Sequence, residues 1–399
     1  MQRRAAHNAD LLLAMVPFAG GRAHRIMDPA WCDELRAQVL RLCGWRRATC
    51  DFPGSNPVSL SRARLADLAT ACAAGEYAVS EKVDGVRFLL CALRAVAPGY
   101  GSGDGEAQQL VLMMDRSLNL VLVSIGHVGR RAFDGTVLDG ELVYDDRARV
   151  WWFVAFDVQA HAGETLTAAP FVAREQRLQY FVTNELDQTA PGATDPIAFR
   201  VTFKAQHDAR DVRRATTEAL PLLPYACDGL VFTPMHAPMR MGRDDALIKW
   251  KSGGLAAHTV DLQLMREASK STYALLMMGV DGRLAVVRAG LTLDADTTRR
   301  WAVDVDSLPQ PVIVECVHDG ADVDRLDATA DERRYGRWLP WKLRADKNTP
   351  NYSYTLEKTV ENIREDVQLG AIIDAIEAAT LQRQTAPPSQ AQYKPIAYN

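Results

Sequence analysis

The chain has 399 residues, with 46 Lys and Arg against 50 Asp and Glu, 48% hydrophobic and 24% charged. That length suits two compact domains with a short tail, and the balance excludes a bulk-basic or wholly disordered protein, so any nucleic acid must be met by local basic patches. Seven Cys without a CxxC pair read as reduced thiols, and the apolar run from Leu11 to Phe18 is too short to span a membrane and lacks a signal-peptide cleavage pattern, so a protein retained inside a cell is expected.

Asp28-Pro29 reads as an N-cap and first helical residue, and Trp31, Leu35, Val39 and Leu42 recur on one face until Gly44. A second helix is expected from Ser61 through Leu65, Leu68 and Cys72 to Gly75. Short β-type runs follow at 76–81, 86–93, 109–114, 119–124, 136–144, 150–158, 199–204 and 227–233, with helical patterns at roughly 170–184 and 208–220. Strands with inserted helices, without strict βαβ alternation, predict an α+β domain of antiparallel sheets. After Lys251, Ser-Gly-Gly reads as a hinge, and about 90 strand-rich residues contain a Val280-Asp281-Gly282 turn between 273–279 and 283–289, a size and texture that suit a small barrel such as an OB-fold. A long helix is expected over 354–380 and an unstructured tail after it.

The densest chemical signal is Glu81-Lys82-Val83-Asp84-Gly85-Val86-Arg87, where a lysine ends an apolar strand and a turn-forming Asp-Gly follows at once. Acidic-glycine pairs also mark Leu138-Asp139-Gly140-Glu141-Leu142 and Cys227-Asp228-Gly229-Leu230-Val231-Phe232, and Trp152 to Asp157 forms an aromatic strand. Lys249 and Lys251 flank Trp250, so in an extended segment both ammonium groups project from one face. Downstream, Lys342 to Asn351 is a dense mixed-charge cluster. Each alone also reads as a turn, a core aromatic or a solvated edge.

Together, and in this order, these stretches resemble the motif series of the covalent nucleotidyltransferases, the superfamily of mRNA capping enzymes and ATP-dependent ligases, across about residues 76 to 351. Asp228 opening its motif, Lys249-Trp250-Lys251, His258-Thr259-Val260-Asp261-Leu262, and Arg344-x-Asp346-Lys347-x-x-Pro350-Asn351 look like the guanylyltransferase branch. Lys342 departs from the arginine of many relatives, keeping charge but losing bidentate geometry. The resemblance implies a nucleotidyltransferase domain with N-terminal helices over 1–254, a C-terminal OB-fold lid over 255–350, a helix over 351–383 and a disordered tail over 384–399.

It further implies a reaction. A lysine attacks only as the neutral amine, about one molecule in a thousand near neutral pH when unperturbed, so Lys82 would need the burial and neighbouring cations that Lys249 and Lys251 could supply. Lys82 would take GMP from GTP and pass it to 5′-diphosphate RNA, with Asp84 in its turn and Asp228 tied to Mg²⁺ or Mn²⁺ or to the amine. By the same resemblance Glu141 and Arg116 would bind ribose, Arg87 ribose or phosphate, and Phe156 with Val231 would sandwich guanine. Lys204 would reach its O6, and Glu81 would complete the nucleotide pocket. Arg344, Asp346 and Lys347 would reach the β- and γ-phosphates when the lid closes.

The glycines at 99, 101, 103 and 105 precede no helix and read as a hairpin tip, and the eight His show no metal spacing. With no H-C-x5-R loop in the sequence, a separate RNA triphosphatase and a cap methyltransferase are expected partners, in a nucleus, or in cytoplasm for a viral protein. A ligase adenylylating Lys82, or a silent RNA-binding relative, would share much of this pattern.

Overall fold

The computed structural model describes residues 13–19, 21–45, 52–96, 107–189, 199–252, 258–268, 271–301, 304–320, 334–344 and 347–385. Strands β1 (Leu13–Phe18) and β2 (Gly21–Ile26) precede helix α1 (Pro29–Leu42), β3 (Ser55–Ser59) and α2 (Arg62–Ala73). Next come β4 (Tyr77–Val83), β5 (Val86–Ala95), β6 (Gln108–Met114), β7 (Leu120–Leu122) and β8 (His127–Val128). They are followed by β9 (Thr136–Asp145), β10 (Val150–His161), β11 (Glu164–Thr165), α3 (Phe171–Tyr180), β12 (Leu186–Asp187), β13 (Arg200–Phe203) and β14 (His207–Asp208). Then come β15 (Cys227–Pro234), β16 (Gly242–Lys251), β17 (Thr259–Arg266), β18 (Tyr273–Met278) and β19 (Leu284–Leu291). Helix α4 (Ala295–Trp301), β20 (Val312–His318), β21 (Trp338–Leu343), α5 (Ser353–Glu365) and α6 (Leu369–Thr385) complete the chain. No helix among the described residues is long and apolar enough to cross a membrane.

The chain divides into two compact units, one from Met1–Val58, Arg64–Trp250 and Gly370–Asn399, the other from Ser59–Ala63 and Lys251–Leu369. In the first, a nine-stranded sheet runs β1-β2-β7-β6-β5-β9-β10-β11, with β13 added to β10, and a five-stranded sheet runs β14-β4-β15-β16-β3. The large sheet is buried on both faces because its strands put apolar residues at odd and even positions alike. Leu89, Cys91 and Leu93 meet Trp31, Leu35 and Val39 of α1, whereas Leu90 and Ala92 join Leu138, Phe153, Phe181 and Phe199. The Asp28 carboxylate caps α1 by accepting from the Trp31 N–H at 2.8 Å, and Leu35 and Val39 are wholly buried, each stabilising the packing by about 2 kcal/mol of transfer free energy.

The second unit carries an antiparallel sheet ordered β19-β18-β17-β20-β21. Its inward residues, among them Leu262, Leu275, Val314 and Trp338, close on Leu356 and Val360 of α5.

Six features differ from the sequence reading. The large sheet includes one parallel pair, β10 with β13. The single helix expected over 354–380 is two, because Asp366 takes a left-handed φ of 41° after Glu365. The helix expected over 208–220 is a succession of short 3-10, α and π turns, and the one over 170–184 is α-helical only to Tyr180, then π-helical over Phe181–Glu185. Strands β1 and β2 occupy what read as an apolar run, and β3 was not foreseen. The glycine-rich run from Gly99 to Gly105, Asp346 and the tail from 386 lie outside the described residues.

Among the described residues six cysteines are free thiols, and five of them, Cys32, Cys43, Cys72, Cys91 and Cys316, are buried. Burial pushes the Cys72 thiol up to about 12.

Candidate active site

Lys82 lies near the end of β4, opposite Gly229 of β15. Between Cys227 and Gly229 the ladder is irregular, so Asp228 escapes the strict alternation that would carry it to the far face. Its Oδ1 accepts from Lys82 Nζ at 2.6 Å, with the two side chains 20% and 24% exposed. The turn after β4 brings Asp84 to the surface, where its N–H donates to Ala226 O at 3.1 Å. Gly85 must be glycine because a Cβ there would come within 2.7 Å of Leu142 O.

On the large sheet Arg87 of β5 pairs in register with Glu141 of β9, and Leu89 pairs with Asp139. Period-2 alternation therefore puts Arg87 on the same face as both carboxylates. The guanidinium takes Asp139 bidentately, Nε to Oδ1 at 2.9 Å and Nη2 to Oδ2 at 2.6 Å, while Nη1 donates to Ser55 O at 2.8 Å. The ring of Phe52 lies 5.1 Å from the guanidinium carbon and that of Phe156 5.4 Å. Asn56 Oδ1 accepts from Arg116 Nη2 at 3.0 Å and from Arg87 Nη1 at 3.3 Å.

With Arg87 committed to Asp139, Glu141 keeps a buried Oε2 that has no hydrogen-bond partner. Burial raises its carboxyl above the usual range, against the opposing pull of Lys204, Lys82 and Arg87. Lys204 is buried directly after β13, with its ammonium 5.1 Å from the Phe156 ring centre. Burial lowers its pKa, although Glu81 and Glu141 favour its charged form. Phe156 sits where the β9–β10 ladder slips between Ala155 and Asp157, and Val231 of β15 lies opposite Ser80. Glu81 is buried and accepts from the Tyr225 hydroxyl at 3.0 Å, a contact that, after burial itself, pushes the phenol up.

Lys249 and Lys251 are half-buried on β16, the neighbour of β15. In the second unit Arg344 Nη1 donates to Asp261 Oδ1 at 2.9 Å and Lys347 Nζ donates to Asp261 Oδ2. Asp261 is itself fixed through Asn351, whose Oδ1 accepts from its N–H at 2.8 Å and whose N–H donates to its O at 2.7 Å.

The structure thus gathers Lys82, Asp228, Arg87, Glu141, Phe156 and Lys204 in the first unit, with Val231 one ladder step away and Arg116 joined through Asn56. Sequence reasoning quoted Asp139 only as the acid of an acidic-glycine pair and did not single out Tyr225, Asn56 or Phe52; the Phe52-Pro53-Gly54 turn before an Asn-Pro was the available signal. Asp261, quoted only within its motif, accepts from both Arg344 and Lys347.

Among the described residues no group of three or more His, Cys, Asp or Glu could hold a metal. A magnesium-type ion held by one or two carboxylates and substrate phosphates needs no such group, and the partly exposed Asp228 carboxylate fits that donor set.

The family described as mRNA capping enzyme, catalytic domain, matches residues 25–253. The mRNA-capping enzyme subunit alpha of Neurospora crassa is 26% identical over 376 residues, covering 86% of this chain and 89% of that one. Its namesake in Saccharomyces cerevisiae is 26% identical over 401 residues, covering 84% and 81% respectively. The subunit alpha of Schizosaccharomyces pombe is 27% identical over 362 residues, with the same two shares of 84% and 81%. The motif order, the Lys82–Asp228 pair and these matches lead to one assignment: the chain belongs to the mRNA capping enzyme family.

Proposed function

We propose that this chain, an mRNA guanylyltransferase, works through a covalent lysyl-GMP on Lys82. The observation that carries the reading is the ion pair of Lys82 with Asp228, an amine and an acceptor 2.6 Å apart. An amine in an ion pair cannot attack, but passing one proton from Nζ to Asp228 frees its lone pair. Nζ then attacks the α-phosphorus of GTP, forming a P–N bond as the P–O bond to pyrophosphate breaks. In the second half an oxygen of the β-phosphate of diphosphate-ended RNA attacks the same phosphorus, the P–N bond breaks, and Lys82 regains its proton.

While ionised, before it takes the amine's proton, Asp228 would hold Mg²⁺ or Mn²⁺ together with nucleotide phosphates, and the bound ion would neutralise phosphate charge. Lys249 and Lys251 would line the α-phosphate. Glu141 would accept from a ribose hydroxyl, the partner its buried oxygen lacks, with Arg116 nearby. Arg87, anchored by Asp139, would form a rigid wall beside Phe156 rather than a mobile clamp, and Phe156 with Val231 would enclose guanine while Lys204 donates to O6. Glu81 would orient Lys204, and Asp84 would fix the turn after the nucleophile.

The five-stranded sheet of the second unit would be an OB-fold lid over 255–350, carrying Arg344, Asp346 and Lys347 to the β- and γ-phosphates, after a nucleotidyltransferase domain over 1–254 and before a helical segment over 351–383. The relatives are named as alpha subunits, which supports a separate RNA triphosphatase subunit, a methyltransferase acting next, and a nuclear setting.

Incubation with GTP labelled at the α-phosphate and a divalent ion should leave label on the protein that survives denaturation and alkali but is released by mild acid, as a P–N bond requires, mapped to Lys82, and Lys82→Ala should take none. Label retained by Lys82→Ala would sink the assignment, and label from ATP alone would restore the ligase reading.

A further inference from the structure

Two polar atoms beside the nucleophile are buried without a partner. Ser80 is 1% exposed and lies two residues before Lys82 on β4, so both side chains leave the same face. Its Oγ has no hydrogen-bond partner. Across one edge of β4, Val231 of β15 pairs directly with Ser80. Across the other, β14 pairs His207 with Val79 and Asp208 with Ala78. Continuing that register by one residue sets Gln206 opposite Ser80, and Gln206 Oε1 is likewise buried and unpartnered. One row across the sheet thus reads Gln206, Ser80, Val231, two bare oxygens beside an apolar wall, with Lys82 next along β4.

Leaving such groups unpaired costs about 1–3 kcal/mol each, and native folds keep few of them. A bound molecule with hydrogen-bond donors aimed at this row would remove the cost. The Watson–Crick edge of guanine offers two donors, N1–H and the exocyclic N2 amine, beside the O6 acceptor. Adenine offers an unprotonated N1 and a C2–H at the matching places, which two acceptors would meet with repulsion or with nothing.

Resting on the reading of Lys82 as a GMP carrier, we propose that Gln206 and Ser80 are specificity-determining residues that read the guanine edge. Gln206 Oε1 accepts from the N2 amine and Ser80 Oγ accepts from N1–H. Lys204 precedes Gln206 by two residues and serves O6, so one short segment brackets both ends of that edge. Selection against ATP comes from acceptors that adenine leaves unmet, a stronger filter than the shape of an apolar slot.

Inosine triphosphate tests this directly, because it differs from GTP only in lacking the N2 amine. The full chain forms adduct from GTP and from inosine triphosphate, and the ratio of the two kcat/KM values is compared with that of Gln206→Leu and Ser80→Ala. The parent should favour GTP by about tenfold, the worth of one such bond. Gln206→Leu should bring the ratio close to one by slowing GTP alone. Ser80→Ala should slow both nucleotides together and leave the ratio in place. A parent that does not distinguish the two nucleotides, or a Gln206→Leu variant that keeps the parental ratio, overturns the proposal while leaving the lysyl-GMP reading intact. No adduct from any nucleotide in the parent overturns both. A Gln206→Leu variant that merely folded poorly would lose both rates alike, which the ratio separates from loss of recognition; for Ser80→Ala the slowing counts only with an unchanged melting temperature, and parental rates there remove Ser80 from the proposal.

Discussion

Lys82 and Asp228 are 146 positions apart in the chain and meet because the β4–β15 ladder slips at Asp228. Glu141 shows the opposite device, a carboxylate whose cross-strand partner Arg87 is committed to Asp139. Because burial raises its carboxyl, the folded chain binds that proton more tightly than the unfolded one. The ionised group therefore weighs against folding above its folded-state pKa, and the burden fades as pH falls through that value toward 4.5. Glu141→Gln should accordingly melt at a higher temperature than the parent near neutral pH, with the gap closing in acid, while adduct formation falls about tenfold as a charge-assisted bond becomes neutral. Equal melts at every pH would contradict the burial argument. The positions of Lys82, Asp228, Glu141 and Lys204 were legible because each stands at a strand end or beside a glycine that punctuates the sequence. Asp139 as the partner of Arg87, and Gln206 across from Ser80, were not, because such pairings depend on cross-strand register, which no local pattern encodes.

Among the elements, α1 and α2 were readable from capping and period, and β4, β5, β9, β10 and β15 from runs of β-branched and aromatic residues closed by Gly or Asp. The β1–β2 hairpin was hidden by Pro17 and by the arginine-rich β2, Gly21-Arg-Ala-His-Arg-Ile26, whose polar side chains hide its alternation. Strand β3 was hidden by Pro57, a residue confined to sheet edges, and β3 is indeed the end strand of its sheet. The break between α5 and α6 left no Gly or Pro in the sequence, since Asp366 itself supplies the left-handed residue at the cap. Aspartate, asparagine and glycine tolerate that conformation in rising order of ease. Asp366→Gly should therefore stabilise the chain by up to about 1 kcal/mol, read as a shift of the urea midpoint at constant slope. A destabilised variant would mean that the Asp366 side chain has a role the backbone angle does not explain.

At the scale of the whole molecule, the cationic end of the second unit is neutralised by its own strand β17. Asp261 accepts from both Arg344 and Lys347, so either cation can be removed without leaving the buried carboxylate unpaired. Lys347→Ala should therefore preserve a cooperative melt within about 1 kcal/mol of the parent, yet slow adduct formation from GTP by tenfold or more if this lysine serves the departing pyrophosphate. Unchanged adduct kinetics would remove Lys347 from the reaction.

The buried cysteines carry a practical consequence. A thiol pushed up to about 12, as at Cys72, presents almost no thiolate at cellular pH. Alkylating drugs and peroxide both require that anion. Among the described thiols only Cys227, half-exposed and next to Asp228, offers an electrophile an approach. A thiol-directed inhibitor would therefore meet one approachable sulfur in the described fold, and it would need a strong electrophile, because burial and the Glu81 and Asp228 carboxylates push the Cys227 thiol up as well.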